Sequence, residues 1–175
     1  MKTYVALLRA INVGGNSVIK MTDLRQLFES LGFGDVVTHI QTGNVVFKSG
    51  QTDRTKLSTQ IENALEPFMN YRPQAFILTA NDLKQAVADC PYQSDDQRQC
   101  QLMFLETEPD PINVEALKAL EGDEYQFTVR GRVLYYAYSR SSAGNRRTIN
   151  FEKVLGSRGT ARNLKVVTKL IELAA

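Results

Sequence analysis

The order of hydrophobic patterns in residues 1–80 constrains this chain more than any other feature. Thr3 to Arg9 is a β-rich apolar run with the character of a strand. A loop follows from Asn12 to Ser17, with Gly14 and Gly15 adjacent. Leu24, Leu27, Phe28 and Leu31 then recur at i, i+3, i+4 and i+7, which is one face of a helix. Gly32 comes next, where a left-handed C-terminal cap is expected. Val36–Gln41 and Val45–Lys48 are short strand candidates around Thr42-Gly43-Asn44. Gly-Asn suits a hairpin turn because both residues tolerate positive φ. Leu57, Ile61, Leu65 and Phe68 line a second helix with Pro67 near its end, and Gln74–Leu78 closes the series as a strand. The order β-α-β-β-α-β is the split pattern of ferredoxin-like domains.

The remainder repeats this theme more loosely. Thr79 with Asp82 forms a capping-box signature for a helix through Asp89, and Pro91–Gln99 is a polar loop. Gln101–Leu105 reads as a strand, and Pro109 and Pro111 flank a turn into a helix carrying Val114, Leu117 and Leu120. Tyr125–Arg130 and Arg132–Tyr138 meet at Gly131 as a hairpin, and Leu164, Val167, Leu170, Ile171 and Ala174 form a final helical stripe. The expectation is an α+β chain. A ferredoxin-like half occupies residues 1–80, and a related β-α-β-β-α half with an extra helix occupies 81–175, the two packed as one unit. No sequence repeat links the halves.

Composition narrows the class. A 43% hydrophobic and 23% charged chain of 175 residues is ordinary for a globular protein. The apolar run from Tyr4 to Leu8 is cut by Arg9, too short for a membrane span and with no signal-peptide pattern, so no membrane and a cytoplasmic location are expected. Cys90 and Cys100 flank a polar loop and are expected to be reduced thiols rather than a disulfide. One histidine and two separated cysteines lack metal-ligand spacing, so no metal is expected and no cofactor is indicated. Charge is uneven: +2 over residues 1–80, −8 over 81–127 and +8 over 128–175. Such asymmetry suggests a basic face, unless the acidic middle neutralises the tail.

The ferredoxin-like order, 4-1-3-2, makes strands one and two parallel. The loop leaving strand one and the turn after strand two then share one end of the sheet. The first loop is Asn12-Val13-Gly14-Gly15 and the second is Gln41-Thr42-Gly43-Asn44. Glycines let backbone approach a ligand, and a helix N-terminus offers free N–H groups and positive potential. Arg9 could add charge from the same end. The candidate ligand-binding residues are therefore Arg9, Asn12, Gly14, Gly15, Gln41, Gly43 and Asn44, for a small anionic or phosphorylated ligand. The alternative is two tight turns whose carboxamides cap each other's backbone. The double glycine is neither G-x-G-x-x-G nor a P-loop.

The run Tyr4-Val5-Ala6-Leu7-Leu8-Arg9-Ala10-Ile11-Asn12-Val13-Gly14-Gly15 resembles the opening motif of a bacterial family, domain-of-unknown-function family 1697 (DUF1697). Further matches are Met21 with Leu24-Arg25, Ile40 to Phe47, and Thr160 to Leu170, where Arg162-Asn163 and Lys169-Leu170 fit. The resemblance implies a ferredoxin-like half followed by a β-α-β-β-α half, and it brings no activity. The chain departs from the pattern at Ala10, where Gly is usual, at Thr42 for Ser and at His39 for Tyr. Leu164-Lys165-Val166 stands where Trp-Asn-Thr is usual. Arg162 and Asn163 are secondary site candidates, as are Arg146 and Arg147, which follow the flexible Ser141–Asn145 turn; phosphate contact and a solvated surface are the two readings of these arginines.

Three function classes remain: a small-ligand site, a nucleic-acid-binding module using the basic C-terminal third, and an assembly protein without chemistry. The nucleic-acid reading has only Tyr4 and Phe47 on the central strands and lacks an RNA-recognition aromatic run. Near the loops the titratable candidates are His39, Arg9 and Asp35, which specify no reaction. Oligomeric state is left open.

Overall fold

The computed structural model describes residues 1–12, 18–69, 71–92, 98–123, 125–139 and 148–175. The first half runs β1 (Lys2–Arg9), α1 (Met21–Ser30), β2 (Gly34–His39), β3 (Asn44–Ser49), α2 (Arg54–Leu65), a 3-10 turn (Glu66–Phe68) and β4 (Gln74–Leu78). α3 (Ala80–Ala88) follows. The second half runs β5 (Arg98–Leu105), α4 (Pro111–Lys118), β6 (Tyr125–Arg130), β7 (Val133–Ser139), α5 (Phe151–Leu155), β8 (Gly159–Asn163) and α6 (Leu164–Leu173). Two antiparallel sheets result, ordered β2-β3-β1-β4 and β6-β7-β5-β8. The chain divides into two compact units, Met1–Lys84 with Thr168–Ala175, and Gln85–Val167.

The second half therefore has the complete β-α-β-β-α-β order, one strand more than its sequence pattern suggested. β8 carries little strand signature, because Gly159-Thr-Ala-Arg-Asn has a single β-branched residue. Gly159 is nonetheless fixed by close packing: a Cβ there would lie 2.7 Å from Met103 Cε and 2.9 Å from the Phe104 carbonyl oxygen. α5 is too short to show a periodic stripe. Its ends are marked all the same, by Asn150 accepting from Lys153 N–H at 3.0 Å and by left-handed Gly156 at φ 66°.

In the first unit Tyr4, Ala6 and Leu8 of β1 face Leu24 and Phe28 of α1 and Leu57, Ile61 and Leu65 of α2 in one buried cluster. Phe28, Phe33 and Phe47 interlock there, with ring centroids 4.6–5.8 Å apart. Each such ring removed from water stabilises the fold by about 2–3 kcal/mol. Phe68 belongs to the 3-10 turn around Pro67 and is 59% exposed, so it does not extend the α2 stripe as its spacing implied. Gly32 takes the expected left-handed conformation, at φ 82°. In the second unit Met103, Leu105, Leu117, Phe127, Leu134 and Leu155 form the core, and Phe151 packs 4.7 Å from Tyr136 and 5.6 Å from Phe127. The Thr79–Asp82 capping box is present: Thr79 N–H donates to Asp82 Oδ2 at 2.7 Å and Asp82 N–H to Thr79 Oγ1 at 3.2 Å. No helix among the described residues is long and apolar enough to cross a membrane.

Candidate functional site

β1 and β2 both flank β3 in antiparallel register, with Leu7 and His39 each opposite Asn44. The chain leaving β1 and the turn after β2 consequently meet at one end of the sheet. Leu8 N–H donates to the Gly43 carbonyl at 2.8 Å, closing the turn onto β1. Asn12 ties the junction together. Its Nδ2 donates to Gln41 O at 2.8 Å and to Ile19 O at 3.1 Å, and its Oδ1 accepts from Ile19 N–H at 2.8 Å. One carboxamide thus fastens the β2–β3 turn and the approach to α1 to the end of β1.

Gly43 and Asn44 complete the turn from beneath. Gly43 is at φ 76°, and a Cβ there would sit 2.7 Å from Ile11 Cδ1 and 2.9 Å from Leu8 Cβ. Only glycine meets both conditions. Asn44 is not the second turn residue, as the Gly-Asn pairing suggested. It is the first residue of β3, fully buried, and its Nδ2 donates to His39 O and Thr42 Oγ1, both at 3.0 Å. The other left-handed turn residue is Ile40, at φ 49°, and Ala10 and Asn12 are left-handed at φ 60° and 56°. A β-branched residue and an alanine in this region carry about 1–3 kcal/mol of strain each, which persists where surrounding structure enforces it.

Tyr71, just before β4, and Gln74, at its start, enter the same end, which the sequence pattern does not show. Tyr71 hydroxyl donates to Ala10 O at 2.6 Å. Gln74 lies opposite Arg9 in the β1–β4 ladder, and its buried Oε1 has no hydrogen-bond partner among the described residues. The signal was topological: β4 runs antiparallel to β1, so its start must lie beside the end of β1. Arg9 is at this end but alternates with Leu8, placing it on the sheet face away from α1 and α2. Val18, Ile40 and Tyr71, which neighbour or belong to the junction, are exposed. Among the described residues the first turn of α1 has no side-chain cap: Lys20 precedes it in an extended conformation, and Asp23 lies within it. Gly14 and Gly15 lie outside the described residues.

The other candidates separate. Asp35 begins β2 at the opposite end of the sheet, where Lys48 pairs with it at 2.7 Å and holds its carboxyl below the usual value. Tyr4 and Phe47 are buried among the helices, so neither ring is available to stack a base. Arg162 is buried in β8, its Nη1 donating to Thr160 Oγ1 at 2.7 Å and Ala161 O at 2.8 Å, and burial lowers its pKa to about 10. It is neither a solvated arginine nor a surface phosphate clamp. Asn163 caps α6, accepting from Val166 N–H at 2.9 Å. Arg146 and Arg147 lie outside the described residues.

The family model of DUF1697, described as a protein of unknown function, matches residues 1–135. The chain belongs to the DUF1697 family. A solved structure of similar fold is that of the conserved bacterial protein SP0830 from Streptococcus pneumoniae, with a TM-score of 0.74 and 23% identity over 99% of this chain and 98% of that one. No curated protein matches the chain. The likeness to SP0830 establishes for this DUF1697 member the arrangement of its strands and helices.

Proposed function

We propose that this DUF1697 protein binds a small anionic, phosphorylated ligand where the β1–α1 and β2–β3 connections meet. The observation that carries the reading is the concentration of left-handed residues at this one junction: Ala10, Asn12, Ile40 and Gly43. Strained backbone of this kind collects at ligand clamps, because a preorganised loop does not lose freedom on binding. The uncapped first turn of α1 supplies N–H groups and positive potential suited to a phosphate. Exposed Val18, Ile40 and Tyr71 suit an apolar or ring-bearing body on the same ligand, such as that of a nucleotide. Asn12 and Asn44 are engaged with backbone and Thr42 groups, so in this reading they shape the loops, while Gln41, Gly14 and Gly15 meet the ligand.

The test is thermal denaturation of the full chain with a panel of nucleotides and phosphorylated metabolites. At least one compound is expected to raise the Tm of the parent, and Gly15→Val is expected to fold but to lose the rise. A panel that never shifts the parent Tm would sink the reading.

A further inference from the structure

The second unit holds two thiols in contact. Cys90 follows the last turn of α3, where Asp89 N–H donates to Gln85 O at 2.9 Å and Cys90 N–H to Val87 O at 3.2 Å. Cys100 is fully buried on β5, opposite Ala137 of β7. Their sulfurs lie 3.3 Å apart. Cys90 Sγ is also 3.3 Å from Tyr92 O, and the Tyr92 hydroxyl is 2.8 Å from Thr128 Oγ1, which fastens the chain leaving Cys90 to β6. The approach of the two sulfurs is therefore held from both sides. A disulfide requires about 2.05 Å, roughly 1.3 Å closer, a distance within reach of side-chain rotation at a helix end.

The two thiols differ in environment. Cys90 is half-buried; the Cys100 thiol donating to it lowers its pKa, burial opposes, and the Tyr92 backbone and the Arg130 charge lower it further, to about 7. Its hydrogen bond to Cys90 and its burial push Cys100 up, so that sulfur keeps its proton. Arg130 also pairs with Asp89 at 3.9 Å, which keeps a cation beside Cys90. An accessible thiolate next to a protected thiol is the arrangement of an attacking and a resolving cysteine.

We propose that Cys90 and Cys100 are a reversible oxidation site, converted by hydrogen peroxide into an intramolecular disulfide. The Cys90 thiolate attacks one oxygen of the peroxide. The S–O bond forms as the O–O bond breaks, and the released hydroxide takes a proton to become water. The Cys100 sulfur then attacks the sulfenic sulfur of Cys90; the S–S bond forms, the S–O bond breaks, and hydroxide leaves with the Cys100 proton as a second water. Both thiols are oxidised by two electrons in total, and the peroxide is reduced. The product ties the end of α3 to β5.

The experiment treats the full chain with hydrogen peroxide, alkylates remaining thiols and maps peptides by mass. The expected result is one Cys90–Cys100 cross-linked species in a monomer, returned to two alkylatable thiols by dithiothreitol. In Cys100→Ser, Cys90 is expected to accumulate as sulfenic acid trapped by dimedone; in Cys90→Ser, Cys100 is expected to stay unoxidised. If either variant fails to fold, the parent peptide map decides. Thiols that remain fully alkylatable in the treated parent would overturn the proposal. So would cross-links only between molecules, or oxidation of Cys90 to sulfinic acid without a cross-link.

Discussion

The two sheets share a strand order but finish the same corner differently. In each, the end of the first strand bonds to the hairpin turn: Leu8 N–H to Gly43 O at 2.8 Å in the first, Leu105 N–H to Arg132 O at 2.9 Å in the second. Beyond that bond the second sheet follows a short, well-capped route. Thr107 N–H donates to Ser157 Oγ, whose hydroxyl donates to Thr107 O, and Asp110 caps α4 just ahead of Pro111. Its turn needs one left-handed residue, Gly131, with open space where a Cβ would sit. In the first sheet more residues separate β1 from α1, and among the described residues four are left-handed and α1 has no side-chain cap. Equal topology thus gives one corner whose helix is capped by Asp110 and one whose helix receives no side-chain cap from Lys20.

The largest test of that contrast is a matched pair of glycine substitutions. Gly43→Ala adds a methyl against Ile11 and Leu8 on a left-handed backbone and is expected to cost about 2–4 kcal/mol. Gly131→Ala has only the backbone term and should cost about 1 kcal/mol. Urea denaturation of both reads the difference, and equal losses would show that the first corner is no more tightly packed than the second. Next, Asn12→Gly keeps the left-handed conformation but removes three hydrogen bonds, for an expected loss of about 1–3 kcal/mol by the same measurement.

Three smaller substitutions act on the caps and the strain. Asp110→Ala should lower stability by about 1 kcal/mol, whereas Lys20→Asp should raise it by about 0.5–1 kcal/mol by supplying α1 with the cap it lacks. The same Lys20→Asp change should weaken any phosphate-induced Tm rise, because the new carboxylate occupies the helix end. Ala10→Gly should stabilise by about 1 kcal/mol by relieving φ 60°. Calorimetric melting checks all three, and a destabilised Ala10→Gly would mean that Ala10 is not strained.

Much of this was legible in the residues. The α+β class and the first half followed from strand runs and the Leu24–Leu31 and Leu57–Leu65 stripes, since burial of one helix face imposes that period. The shared end of the two loops followed from antiparallel order alone. What the sequence hid were features set by three-dimensional closeness. Gly43 and Asn44 look like a symmetric turn pair, yet only Ile11 packing beneath one and the His39 carbonyl beside the other separate their roles. Arg162 looks like part of a basic tail, and its burial depends on β8, whose residues carry almost no strand signature. Tyr71 falls in a loop without periodicity and Gln74 at the start of a short strand, and both reach the junction only because β4 lies beside β1.

The most direct test is amide chemical-shift mapping of the labelled full chain during titration with whichever phosphorylated metabolite raises its Tm most, or with ADP if none does. Saturable shifts are expected at Asn12, Gln41, Gly43 and the first turn of α1, with Thr107, Asp110, Gly131 and Arg132 unmoved. Shifts confined to the second corner, or none at saturating concentration, would contradict a ligand site in the first.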